Sequence, residues 1–253
     1  MNFVPDQLTD DEFLGGQLRL FQPAQGYRAA IDSVLLAAAC PARPGETVLD
    51  LGCGAGAASL CLAARVPGIS LAGIELQPDY AALGRLNAGR NGVEIDLHEG
   101  SLTDMPRALR REFHHVIANP PYYPAKGSGS PLEDRATAMR VELPLPLWVE
   151  TAARRLLPDG WLTMIAAVDA LPELVSSLAP RLGSAAILPL AAREGRPARR
   201  MILRARKGGR SPFRLLAPLI LHKGARHEED RENYTPEVQA ILRGGQSLAA
   251  RFD

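Results

Sequence analysis

Two short stretches carry residue types that can do chemistry together: Asp50-Leu51-Gly52-Cys53-Gly54-Ala55-Gly56 and Asn119-Pro120-Pro121-Tyr122. In the second, prolines cannot continue a hydrogen-bond ladder, so the chain leaves its strand rigidly. A rigid turn fixes the Asn119 side-chain carbonyl and the Pro120 backbone carbonyl as two acceptors, and a planar amino group has two N–H donors to offer them. Bent out of plane in that grip, the nitrogen exposes its lone pair for attack. Tyr122 can stack on a flat substrate, as aromatic side chains do on unstacked bases. The plain alternative is a strand-ending proline turn with a surface tyrosine.

The first stretch supplies a ligand platform. Glycines there give positive φ or leave bare backbone against a ligand, and N–H groups at the start of a helix suit a nucleotide-like molecule. Gly52-x-Gly54-x-x-Ala57 also fits the dinucleotide fingerprint, so the loop alone is ambiguous. Glu75 lies 23 residues beyond Gly52, where an acid at a strand end can accept from both hydroxyls of a ribose. For Glu75 and Asp50 alike, strand-end solvation or helix capping is the competing reading.

The elements that must position these groups follow from patterning. Thr47–Leu51, Ile69–Ile74, Glu94–His98 and Phe113–Ala118 read as strands; Ala57–Arg65 and Pro78 to about Asn91 read as helices. Upstream, Leu18-Arg19-Leu20-Phe21 pairs with Phe13-Leu14 across Gly15-Gly16, after a loosely held acidic segment 1–12. An Ala/Leu-rich helix then spans about Ala29 to Cys40. Residues 123–146 form a long loop, followed by a helix at Leu147–Leu157, a buried strand at Gly160–Val168 and a helix at Ala170–Leu182. Ala185–Ala191 and Arg199–Arg206 are too close for a crossover, so they form an antiparallel hairpin. Leu215–His222 is a further strand and Thr235–Arg243 a terminal helix. The expected organisation is an N-terminal hairpin and helix (1–45) on a core (46–206), extended by 207–253.

Composition narrows the class. With 253 residues, 46% hydrophobic and 23% charged, the chain can bury one large α/β core. No apolar run reaches membrane-spanning length, and the acidic N-terminus has the wrong sign for a signal peptide, so a cytoplasmic protein is expected. Cys40, Cys53 and Cys61 lack metal spacing and read as reduced, buried residues. The His114-His115 pair would point to opposite sides of a strand, so no metal is expected. Net charge is only +1, yet 193–214 holds nine basic residues against Glu194, making that segment +8 and the remainder −7. Such asymmetry attracts polyanions, although a solvated face also explains it.

Asp50-x-Gly52-x-Gly54-x-Gly56, Glu75 and Asn119-Pro120-Pro121-Tyr122 together resemble the S-adenosylmethionine-dependent methyltransferases that modify exocyclic or amide nitrogens. The resemblance implies an α/β, Rossmann-like class I methyltransferase fold, a mostly parallel seven-stranded sheet with a C-terminal antiparallel hairpin. It implies that Asp50, Gly52, Gly54 and Gly56 hold the methionine part of the cofactor and Glu75 the ribose. Ser101 and Leu102 flank the adenine, with Asp104 as a displaced acid, and Leu76 and Asn119 complete the cofactor set. Asp32 either lies across the methionine end or is an exposed helical acid. Gln25-Gly26-Tyr27-Arg28, Ile31–Leu36 and Glu232-Asn233-Tyr234-Thr235 are similar to bacterial tRNA (adenine-N6)-methyltransferases acting beside the anticodon of a valine tRNA. The basic tail Lys207–Asp230 departs from that pattern. The expected catalytic residues are Asn119, Pro120, Pro121 and Tyr122; the expected substrate contacts are Tyr27, Arg28, Tyr122 and Tyr123, with Arg199, Arg200, Lys223 and Arg226 from the basic stretches.

The expected function is therefore methyl transfer to an adenine amino group in RNA, a tRNA first, by a monomer. A protein glutamine amide or DNA adenine offers the same –NH2 donors. A glutamine enzyme usually carries a separate N-terminal helical domain, and only about 45 residues precede the first core strand. A third possibility is a nucleotide-binding module without catalysis.

Overall fold

A computed structural model describes residues 3–121, 143–224 and 233–253. Most of the expected 123–146 loop, with Tyr122, Tyr123 and Arg226, lies outside the described residues.

The chain opens with a hairpin of β1 (Leu8–Phe13) and β2 (Leu18–Pro23), in register from Leu8↔Pro23 to Phe13↔Leu18. This corrects the expectation of a loose acidic start. The acids that suggested solvation are what attach the segment: Asp10 meets Arg19 at 3.1 Å and Arg90 at 2.8 Å, and Asp11 meets Arg28 at 2.6 Å. Next come α1 (Ile31–Ala39), β3 (Thr47–Leu51), α2 (Ala57–Arg65), β4 (Ser70–Glu75), α3 (Pro78–Arg90), β5 (Ile95–Glu99) and β6 (Phe113–Ala118). After the undescribed stretch follow α4 (Leu145–Arg155), β7 (Leu156–Ala167), α5 (Leu171–Leu178), β8 (Leu182–Ala191), β9 (Ala198–Lys207), β10 (Arg214–Leu215), β11 (Leu219–Ile220) and α6 (Pro236–Gly244). The expected helix at Ala170–Leu182 is thus shorter, because Arg181 already turns into β8. The expected strand at Leu215–His222 is two fragments, interrupted at Pro218.

The sheet order is β10-β8-β9-β7-β6-β3-β4-β5, with β11 also on β8. Neighbours are parallel except β9, which runs antiparallel to both β7 and β8. The seven expected strands are present, and β10 and β11 add two short pieces along β8. Apolar residues of α1, α2 and α6 cover one face, and those of α4 and α5 the other. The parallel strands therefore all end at one edge, where β3 delivers the glycine loop, β4 delivers Glu75 and β6 delivers Asn119.

The basic run 193–214 does not form one stripe. Arg193, Arg196, Arg199 and Arg200 sit at this same edge, around the β8–β9 turn. Arg204 is buried mid-strand, 4.8 Å from the Trp161 ring and 4.6 Å from the Phe252 ring, and burial pushes its guanidinium pKa down to about 10. Arg206, Lys207 and Arg210 lie at the opposite edge. Among the described residues no helix is long and apolar enough to cross a membrane.

Candidate active site

The glycine loop is shaped by backbone demands. Gly52, Gly54 and Gly56 all have positive φ, at 66°, 55° and 85°, values that β-carbons disfavour. Gly52 has a second constraint, since a Cβ there would lie 2.7 Å from Trp148 Cη2. The missing Cβ at that glycine makes room for a helix side chain. Gly52→Ala is expected to cost about 2–3 kcal/mol of stability, part left-handed strain and part displaced Trp148. Urea denaturation checks it, and most of the steric share should vanish in a Trp148→Leu background.

Glu75, 7% exposed, ties the loop to its own strand. The Gly54 N–H donates to Glu75 Oε2 and the Gln77 N–H to Oε1, both at 2.9 Å. Both carboxylate oxygens thus face the backbone of the glycine loop and of the strand end. Asp50, 2% exposed, accepts from the Ser59 hydroxyl at 2.7 Å. Burial chiefly, with Glu75's charge adding and the Ser59 hydrogen bond opposing, pushes the Asp50 carboxyl up to about 7.

One pocket at the strand ends gathers Tyr27, Asp50, Gly52, Cys53, Ala55 and Asn119, with Gln22, Ser33 and Tyr80 among the others in its wall. Asn119 Nδ2 donates to the Tyr27 hydroxyl at 3.2 Å, while Asn119 Oδ1 is buried and has no hydrogen-bond partner among the described residues. A buried acceptor without a partner costs roughly 1–3 kcal/mol, so this oxygen is built to meet a donor from outside. Tyr27 is itself held in place, because the Tyr80 hydroxyl donates to its carbonyl at 3.0 Å.

Sequence reasoning missed the two buried amides that hold this arrangement. Gln22 exchanges two bonds with Ala29, accepting at 2.6 Å and donating at 3.2 Å, and so pins the loop that carries Tyr27. Asn87, fully buried, exchanges two bonds with Phe21 and donates to the Ala55 carbonyl at 3.0 Å, locking hairpin and helix α3 to the glycine loop. Their only sequence signal was a polar residue flanked by apolar ones.

Several of the described residues expected at the site lie outside this pocket. Asp32 is 7% exposed and paired with Arg200, which rules out the exposed-acid reading. Arg28 is engaged by Asp11, by Thr9 Oγ1 at 2.8 Å and by the Pro23 carbonyl at 3.0 Å. Ser101 bonds Thr103, Leu102 is partly buried beside the apolar face under α4, and Leu76 is exposed. Asp104 faces solvent in an ion pair with Arg110. Arg199 and Lys223 are exposed. The two histidines part company: His114 Nδ1 accepts from the Thr47 N–H, and His115 Nε2 meets Glu46 at 2.8 Å. The three cysteines are free and buried.

A family model described as the methyltransferase small domain matches residues 28–175, from the Tyr27–Arg28 loop through both motifs to α5. The chain belongs to this methyltransferase family. It is an S-adenosylmethionine-dependent enzyme with a class I fold. A protein of Dickeya chrysanthemi named tRNA1(Val) (adenine(37)-N6)-methyltransferase is 28% identical over 228 residues, covering 85% of this chain and 86% of its own. A release factor glutamine methyltransferase of Geobacter sulfurreducens is 40% identical, but over 77 residues, 30% of this methyltransferase and 26% of that protein. The crystal structure of a predicted O-methyltransferase from Agrobacterium tumefaciens superimposes with TM-score 0.69 at 28% identity, covering 85% of this chain and 97% of its own.

Proposed function

We propose that this methyltransferase methylates the exocyclic amino group of an adenine in RNA, a tRNA being its substrate. The observation that carries the proposal is Asn119 Oδ1, a buried acceptor with no partner among the described residues, on a side chain that lines the pocket and is held by the Tyr27 hydroxyl. S-adenosylmethionine, when bound, supplies an electrophilic methyl group on a positively charged sulfur. Asp50, the glycine loop and Glu75 would hold it, two acids beneath a cation and a ribose. Asn119 Oδ1 and the Pro120 carbonyl then accept the two N–H donors of the target amino group and aim its lone pair into the pocket. Positioning does most of the work in such a displacement. No strong base is needed, because the proton can leave to water after nitrogen attacks. Tyr122 would stack on the base, which must be unstacked to enter, at little cost in a tRNA loop.

RNA is favoured over a glutamine amide by extent of likeness. The relatives named for a tRNA match along nearly the whole chain, whereas those named for glutamine match about a quarter of their own length. The enzyme would act as a cytoplasmic monomer. The test is to incubate it with labelled S-adenosylmethionine and either a tRNA pool or a glutamine-bearing peptide. N6-methyladenosine in digested tRNA is the expected product; label in the peptide alone would overturn the assignment.

Glu75→Ala is expected to weaken S-adenosylmethionine binding by roughly 1–3 kcal/mol, as loss of a charged hydrogen-bond acceptor does. Calorimetry reads it, and unchanged affinity would remove Glu75 from the ribose role.

A further inference from the structure

We infer that the β8–β9 turn, through Arg196 and Arg199, grips phosphates of the RNA beside the target nucleotide, and that the basic residues at the other end of the same hairpin take no part. This rests on the RNA reading of the site. The antiparallel course of β9 decides which charges can reach substrate. Its first residues, Ala198 to Arg200, stand opposite Ala191, Leu190 and Ala167, the last residues of β8 and β7, at the edge that also carries Asn119. Its last residues, Arg206 and Lys207, stand opposite Trp161, Gly183 and Leu182, at the far edge.

Engagement within the fold sorts the charges further. At the far edge Arg206 is paired with Asp159 at 3.2 Å and Lys207 with Glu112 at 3.3 Å, while Arg214 donates to the Asp253 carbonyl at 2.7 Å. Arg204 is walled in by two rings. At the near edge Arg193 donates to the Gly224 carbonyl at 3.2 Å, which braces the turn, and Arg200 is held by Asp32. Arg196 and Arg199 are exposed and, among the described residues, meet no acidic side chain.

Spacing suits a flanking phosphate. Strand β9 lies two places from β6 in the sheet, so at roughly 4.8 Å per strand its end is offset by about 10 Å from Asn119. A base seated against Asn119 would run its backbone across the β7 and β9 ends rather than down to the far edge. Arg199 lies where the β8–β9 register shifts, between the Ala191↔Ala198 and Leu190↔Arg200 pairs, beside the turn that carries Arg196.

The test measures binding of the full-length enzyme to an unmodified valine tRNA transcript by fluorescence anisotropy across a salt series. Each phosphate contact contributes about 0.7–0.9 to the slope of log affinity against log salt. The R196A/R199A double variant is expected to flatten the slope by about 1.5, with the KM for RNA raised, kcat kept and S-adenosylmethionine affinity unchanged. R196K/R199K should restore the slope, and R210A should leave it as it is. An unchanged slope in R196A/R199A, or an equal loss in R210A, overturns the turn assignment while wild-type RNA methylation still stands. If the wild type neither binds nor methylates RNA but modifies a glutamine peptide, the RNA reading falls and takes this inference with it.

Discussion

Asn119→Ala is expected to lower turnover by roughly 100- to 1000-fold, about 2.7–4 kcal/mol, the usual loss when a preorganised polar contact acting in the transition state is removed. The geometry sharpens the expectation. Among the described residues Asn119 Oδ1 has no partner and Nδ2 bonds the Tyr27 hydroxyl at 3.2 Å, so truncation removes little that holds the protein together. Thermal stability should therefore hold or rise, since a buried orphan acceptor disappears. S-adenosylmethionine affinity should barely move, because the missing oxygen faces the acceptor. Tyr27→Phe is the informative companion: it keeps the wall and frees the amide to rotate, giving a smaller loss in kcat. Near-normal turnover in Asn119→Ala, with tRNA or peptide, would remove the amino-gripping role.

The pH dependence of stability should change sharply on substituting Asp50. Its carboxyl is ordinary in the unfolded chain, near 3.8, and is raised to about 7 in the fold. A raised value means that the fold prefers the protonated form, so the stabilising contribution is complete below about 3.8. It declines as pH rises through the interval and is gone above about 7. Asp50→Asn keeps an oxygen for Ser59 and never ionises. Its lead in unfolding free energy over wild type is expected to grow between pH 4 and 7 and then level off, reaching on the order of 4 kcal/mol from three shifted units. Urea titrations at a series of pH values measure it. A lead that is flat across that range would show that Asp50 titrates as an exposed acid does.

How much of this was legible from residue order depended on the range of the interaction. Strands β3 and β6 and helix α2 were readable to the residue, because an apolar run, a glycine turn and a proline stop are local signals. Strand β1 was not, since its acids look solvated until Arg19, Arg28 and Arg90 are brought to them. The site was half legible. Asp50, Gly52, Asn119 and Tyr27 do meet, but the bond from Asn119 to Tyr27 joins residues 92 apart. Gln22 and Asn87 hide for the same reason, as buried amides whose partners are backbone groups of distant loops. Arg204 shows the opposite error: in the sequence it belongs to a charged run, and in the fold it is packed between Trp161 and Phe252.

The two short strands on β8 bear on how copies of this protein meet one another. A bare outer strand is a template on which another chain can lay its own backbone. Here that row is taken: Leu216 and Leu221 donate to the Ile187 and Ala191 carbonyls at 2.8 and 2.9 Å, and His222 donates to Ala192 at 2.9 Å. At the opposite margin β5 carries Asp96, paired with His98 and Arg111, and Glu99, paired with Arg85. One margin is plugged and the other carries charge, the two devices that make a sheet edge a poor template for strand addition. Residues 214–222 thus cover the row of β8 that would otherwise stand open.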